Sequence, residues 1–175
     1  LWAKRNDQKV EFIARDIVNS LALLNQQDVD VLLASPGEWL NSDGFSFTSP
    51  FYRPHAQVYV ANRIKGVKSL DFFKNNDKAA KKINSNSVGV LKNAPFINQI
   101  SSQYPNLNLL SFSTVDAMIR AAELGGVAAM ISSIDIMNVR LTQANLQSAF
   151  YLLELPIFTT KLSYLIDKDN HQLLK

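Results

Sequence analysis

Three apolar runs of strand length, Ser87 to Leu91, Asn108 to Phe112 and Val127 to Ile131, are each followed by a segment of helical spacing. This alternation restricts the chain more than any other feature. A helix between two strands of one sheet carries the chain back along the sheet face, so the strands it joins run parallel. Ser87 to Leu91 and Val127 to Ile131 read as buried strands, covered on both faces, and Asn108 to Phe112 as the strand between them. In the first helix Pro95 takes the first helical position, where a missing N–H costs nothing, and Phe96, Ile97 and Ile100 face inward. Ser113, with Asp116 three residues on, opens the second in the manner of a capping box. Val115, Met118, Ile119 and Ala122 form its inward stripe, and Gly125-Gly126 supply the left-handed residue that closes it. The third runs from Ile134 to Leu141. With the strand Gln57 to Ala61 and a helix capped by Ser69 that holds Leu70 and Phe73, the block from about Gln57 to Leu155 makes a complete lobe. A short exposed helix is expected around Ala79 to Ile83.

Upstream, Leu1 to Asn6 reads as the last turn of a helix. Lys9 to Ala14 reads as a short strand with Val10, Phe12 and Ala14 on one side, and Asp16 as the N-cap of a helix showing Ile17, Leu21 and Leu24. Next come a buried strand, Val29 to Ala34, and a polar loop with Pro36, Gly37, Asn41, Asp43 and Gly44. The alternating run Phe45, Phe47 then ends at Ser49-Pro50. Helix, turn, buried strand and loop make one α/β unit, and the loop at the strand's carboxyl end is where such a sheet holds a ligand.

Composition narrows the class of protein. At 175 residues, 47% hydrophobic and 19% charged, the chain can bury a core. No run approaches the roughly 18 apolar residues of a membrane span, and Leu1 to Lys9 has no apolar signal-peptide core. There is no cysteine, which removes disulfides, thiol chemistry and thiolate metal sites. The net charge of +3, without lysines interleaved with aromatics, gives no nucleic-acid surface. Lys74, Lys78, Lys81 and Lys82 read as a solvated helix face.

The stretch from Leu21 to Tyr52 resembles the family 3 type II periplasmic solute-binding proteins. The residues that carry the likeness are Leu24, Val29-Asp30-Val31-Leu32-Leu33-Ala34 and Phe47-Thr48-Ser49-Pro50-Phe51-Tyr52, and it extends more weakly over nearly the whole chain. It implies a two-lobe α/β fold, each lobe a mostly parallel sheet flanked by helices. Residues 1–56 with 157–175 would form a partial first lobe and residues 57–156 the second, with hinge segments at about 51–56 and 156–161. Lacking the family's opening strand and closing helices, the first lobe leaves an edge open. The chain is therefore expected to be part of a longer one, or to have another chain over Phe12, Leu21 and Val31; a second copy or a periplasmic protein are the candidates.

Residue by residue, the ligand site departs from the family pattern. Amino-acid-binding members use an Arg in the first loop to fork onto the ligand carboxylate, and that place falls on Ser42 or Asn41. Their second-lobe turn at a helix N-terminus reads Lys92-Asn93-Ala94 here, and the Asp that takes the ligand's ammonium falls on Ser133. A free α-amino acid would leave its buried charges unpaired, at several kcal/mol each. The resemblance therefore points to another small solute, held by Ser35, Glu38, Trp39 and Asn41 from one side and by Lys92, Asn93 and Ser133 from the other.

No catalytic residue, metal site or cofactor is assigned. His55 and His171 have no ligand spacing around them, and no Gly-x-Ser-x-Gly elbow occurs. Gly89 reads as a close-packing glycine and Asp30 as a structural carboxylate. The expected function is an extracytoplasmic, periplasmic sensor domain of a membrane signalling protein, tethered through flanking segments. Leu165-Ile166-Asp167-Lys168-Asp169-Asn170-His171-Gln172-Leu173-Leu174 matches the end of such modules. The alternative is a free substrate-binding protein of an ABC transporter. An enzyme on the same fold would have only Glu38 as its carboxylate.

Overall fold

A computed structural model describes residues 2–15, 17–36, 44–74, 86–92, 94–170 and 173. Its elements in chain order are α1 (Trp2–Arg5), α2 (Ile17–Asn25), β1 (Val31–Pro36), β2 (Phe45–Phe47), β3 (His55–Ala61), β4 (Val88–Leu91), α3 (Ile97–Gln103), β5 (Leu109–Phe112), α4 (Val115–Glu123), β6 (Ala129–Ser133), α5 (Ile134–Gln143), β7 (Phe150–Leu152), β8 (Phe158–Thr159) and β9 (Leu162–Asp167). The chain divides into two compact units, one of Leu1–Ser35, Asn41–Ser49 and Ser163–Lys175, the other of Pro36–Leu40 and Pro50–Leu162.

In the smaller unit three strands lie in the order β1-β9-β2. β2 runs antiparallel to β9, Phe45 opposite Asp167 and Phe47 opposite Leu165. Leu24, Leu165 and Ile166 are buried there. α2 ends in a Schellman turn: Asp28 N–H donates to Leu23 O at 2.9 Å and Gln27 N–H to Leu24 O at 3.1 Å. Gln27 takes the left-handed position, φ 59°, usually given to glycine. The strand expected over Lys9 to Ala14 is absent. Residues 8–15 have no regular structure, and Val10, Phe12 and Ile13 are exposed, Phe12 by 79%. The alternation fits a strand template, but backbone groups need a partner edge, and in this sheet the returning β9 takes the central place.

The larger unit's sheet has the order β5-β4-β6-β3-β7, with β8 also against β3. β4 is parallel to β5 and to β6, as the helical crossovers require. β3 is the reversed strand: it runs antiparallel to β6, β7 and β8, so β7 and β8 point the same way as β4, β5 and β6. Alternate side chains feed two cores. Val58, Val60, Val88, Val90 and Ile131 pack with Leu70, Phe73, Ile100 and Phe158 on one face. Tyr59, Ala61 and Met130 pack with Met118, Ile119, Ala122, Met137 and Leu141 of α4 and α5 on the other.

Several helix starts differ from the sequence expectation. Thr114, not Ser113, caps α4: its backbone is extended and its Oγ1 accepts from Ala117 N–H at 3.1 Å. Pro95 lies in the turn before α3, which begins at Ile97. Leu70–Phe73 is a 3-10 turn, and Ser69 makes no side-chain cap bond to it. Gly125, φ 85°, closes α4 as expected, with Gly126 N–H donating to Ala121 O at 2.7 Å. The helix expected around Ala79 to Ile83 lies outside the described residues.

Candidate functional site

β4, β5 and β6 end on the same side of the larger unit's sheet, where α4 and α5 begin. Open α/β sheets bind solutes at that edge. Val90 stands opposite Ile131, so Lys92 and Ser133 follow at equal steps along neighbouring chains and fall in one row. Ser133 in turn is opposite Ala56 near the start of β3. It is half-buried at the N-cap position of α5 and makes no side-chain cap bond. Lys92 is exposed, and its N–H donates to Phe112 O at 2.8 Å. The row thus combines an ammonium, a hydroxyl and the positive end of a ten-residue helix, with no carboxylate at the Ser133 position.

Of the other expected site residues, Ser35 lies in β1. Its side chain, together with Glu38, Trp39, Asn41 and Asn93, lies outside the described residues, as does His171. His55 is exposed at the start of β3, opposite Thr159.

Tyr59 and Asp135 are not singled out by the sequence, and Tyr52 figures there only in the family likeness and the expected hinge. Tyr52 makes an antiparallel bridge to Leu162 and donates its hydroxyl to the carboxylate of Asp135 in the first turn of α5. That hydrogen bond, reinforced by desolvation and by the carboxylate's charge, holds the Tyr52 phenol above its usual range. Tyr59 on β3 is buried, and its hydroxyl has no hydrogen-bond partner among the described residues. Burial, and secondarily the charge of Asp135, pushes its phenol up to about 12. The available signal was an acid in a helix's first turn, where the helix dipole favours it. That Tyr52 reaches it across 83 residues follows from the pairing of β3 with β6 and leaves no local trace.

Among the described residues, surface depressions also lie elsewhere. One of about 490 Å³, lined by Arg63, Ile64, Lys65, Phe72, Asn86 and Gly125, is at the opposite end of the same sheet. There Arg63 donates to Ala122 O at 2.8 Å and Val127 O at 2.6 Å, capping the end of α4. The other, about 560 Å³, is in the smaller unit beside Asp30, Asp167 and Asp169. Among the described residues no group of three or more His, Cys, Asp or Glu side chains is disposed to hold a metal ion.

No protein-family model matches the chain, and no curated protein does. Solved structures do. A putative binding component of an ABC transporter from Wolinella succinogenes, complexed with lysine, is 16% identical with a TM-score of 0.75 over 99% of this chain and 71% of its own. A histidine kinase sensor domain with similarity to periplasmic binding proteins gives 13% and 0.75 over 98% of this chain and 71% of its own. The periplasmic VFT2 domain of Bordetella pertussis BvgS gives 15% and 0.70 over 98% and 69%. Identities this low establish fold alone. The chain has the two-lobe α/β fold of type II periplasmic binding proteins, and the neighbours named are binding and sensor proteins.

Proposed function

We propose that the chain is an extracytoplasmic solute-binding-like sensor domain, the input module of a membrane signalling protein. The observation that carries this is the fold it shares with a kinase sensor domain, at a TM-score of 0.75. Among the described residues no helix is long and apolar enough to cross a membrane, so the tether would lie in flanking segments. The residues that would hold the solute are Lys92, Asn93 and Ser133, together with Ser35, Glu38, Trp39 and Asn41. A solute without the zwitterion of a standard amino acid fits a row that has a cation and a hydroxyl and no ammonium acceptor at Ser133. The function is binding rather than catalysis, and a second copy or a periplasmic protein remains a partner in this reading.

The hinge would consist of residues 51–56 and 156–161, joining a first lobe of residues 1–56 and 157–175 to a second of residues 57–156. Support comes from the pairing of these segments, His55 opposite Thr159, Ala56 opposite Phe158, and Tyr52 bridged to Leu162. Two adjacent crossings allow rotation about one axis.

A free transport receptor is the second reading, favoured by the equal TM-score of 0.75 to the lysine-bound transporter component. The coding sequence beyond Lys175 separates the two. A membrane-spanning helix followed by a signalling domain supports the sensor; a stop codon overturns it. A thermal-shift panel tests the solute class: standard amino acids should leave the melting temperature unchanged, and saturable stabilisation by one of them would overturn the reading of Ser133.

A further inference from the structure

The hydroxyl that joins Tyr52 to Asp135 connects a chain crossing to the helix that borders the candidate solute row. Residues 50–54 form no strand of their own beyond the single bridge at Tyr52. Phe51 N–H donates to Leu162 O at 3.0 Å and Leu162 N–H to Tyr52 O at 2.9 Å, so the outgoing and returning crossings are held to each other. The Tyr52 hydroxyl then fastens this pair to the first turn of α5. Asp135 follows Ser133 by two residues, so a group lodged at Ser133 stands next to the same turn. Tyr52 is 44% exposed, and a bond at such a site opens at small cost because water replaces the lost partner.

We propose that the Tyr52–Asp135 hydrogen bond is a latch that fixes the resting course of the crossings, and that solute binding at the Lys92–Ser133 row releases it. A donor group of the solute that reaches the carboxylate competes with the phenol. A solute hydroxyl or amide N–H is enough for this exchange, because it replaces one neutral donor to the carboxylate by another. Release removes this tie between the crossings and α5, and a rotation about them then costs less. The proposal concerns regulation of the site described above and rests on that reading for its solute; the latch itself rests on the geometry of Tyr52, Leu162 and Asp135.

The test needs no solute. The chain has no cysteine, so Ala22→Cys on α2 and Glu123→Cys at the end of α4 accept a pair of spin labels cleanly. The distance distribution between them is measured by pulsed electron resonance in the full chain and in its Tyr52→Phe, Asp135→Asn and doubly substituted forms. Each single change should broaden or shift the distribution, and the double change should add nothing. Amide exchange at Phe51 and Leu162 should accelerate about tenfold in all three, with Val58 and Ile131 unchanged. Asp135→Glu should restore the original distribution at least in part. Unchanged distributions in both singles, or acceleration that spreads to Val58 and Ile131, would overturn the latch. A latch confirmed in this way beside a coding sequence that stops at Lys175 would sink the sensor reading alone. A sensor confirmed by its flanking segments beside unchanged distributions would sink the latch alone.

Discussion

Gly89 of β4 lies against Met118 of α4 so closely that a Cβ on the glycine would stand 3.0 Å from Met118 Cγ and 3.2 Å from Phe112 Cε2. Met118 is fully buried, so it has no solvent to move into. Gly89→Ala should therefore destabilise the protein by about 1–3 kcal/mol, the usual range for overpacking. Urea denaturation measures it, and the same change made in a Met118→Ala background should cost less, because the clash is then gone. Unchanged stability would mean that α4 rides further from β4 than the structure has it.

Gln27 offers a change in the other direction. It holds the left-handed position after α2 that glycine occupies after α4, at Gly125. A side chain there costs about 1–2 kcal/mol that glycine does not pay, partly offset by glycine's greater freedom when unfolded. Gln27→Gly should raise stability by about 0.5–1 kcal/mol. Gly125→Ala should lower it by a similar amount, and the two chemical-denaturation midpoints should move in opposite senses.

Tyr59 carries a buried hydroxyl without a partner among the described residues. Leaving such a group unmet costs about 1–3 kcal/mol, so Tyr59→Phe should stabilise, by about 1 kcal/mol, rather than destabilise as most core changes do. The raised phenol adds a pH signature. Folding raises its pKa to about 12 from the ordinary 10, so the neutral form is the one the folded state favours. The stabilisation is complete below about pH 10 and is lost as pH rises through 10 towards 12. Thermal unfolding across that window should fall more steeply in the natural chain than in Tyr59→Phe.

Phe12 should be energetically silent within this chain. It is 79% exposed in a segment without regular structure, and surface changes of that kind stay within about 0.5 kcal/mol. Phe12→Ser should leave the denaturation midpoint where it was. If sedimentation shows the chain self-associating and the serine abolishes it, a second copy covers this segment. A large loss of stability in dilute solution would instead mean that Phe12 is packed within its own unit.

The parts of the fold most legible in the sequence are those where each residue run meets a strong local boundary. Val88 to Leu91 and Ala129 to Ser133 are short, mainly apolar and almost wholly buried, and burial on both faces leaves them little else to be, whereas Leu109 to Phe112 at the sheet's edge keeps Leu110 and Ser111 exposed. Val10, Phe12 and Ala14 carry an equally regular alternation and form no strand, because strand formation depends on a free edge elsewhere in the chain. The choice between Ser113 and Thr114 as cap turned on a one-residue step in backbone angle that both hydroxyls could serve. At the candidate site, Lys92 and Ser133 come from the family likeness, and the regular parallel register of the structure sets them in one row. Tyr52 and Asp135 could not, since their meeting depends on how β3 inserts beside β6.

That insertion also orders events in time. β3 is the first strand of its sheet to be synthesised, yet its neighbours β6 and β7 come late, with β4 and β5 made in between and placed on the far side of β6. A growing chain must hold Val58, Tyr59 and Val60 uncovered while roughly seventy further residues emerge, a wait of about 4–14 s at ordinary rates of synthesis. Until Met130 and Tyr151 arrive, this segment has two open edges and two apolar faces, which is the state in which a nascent chain is most dependent on holding factors.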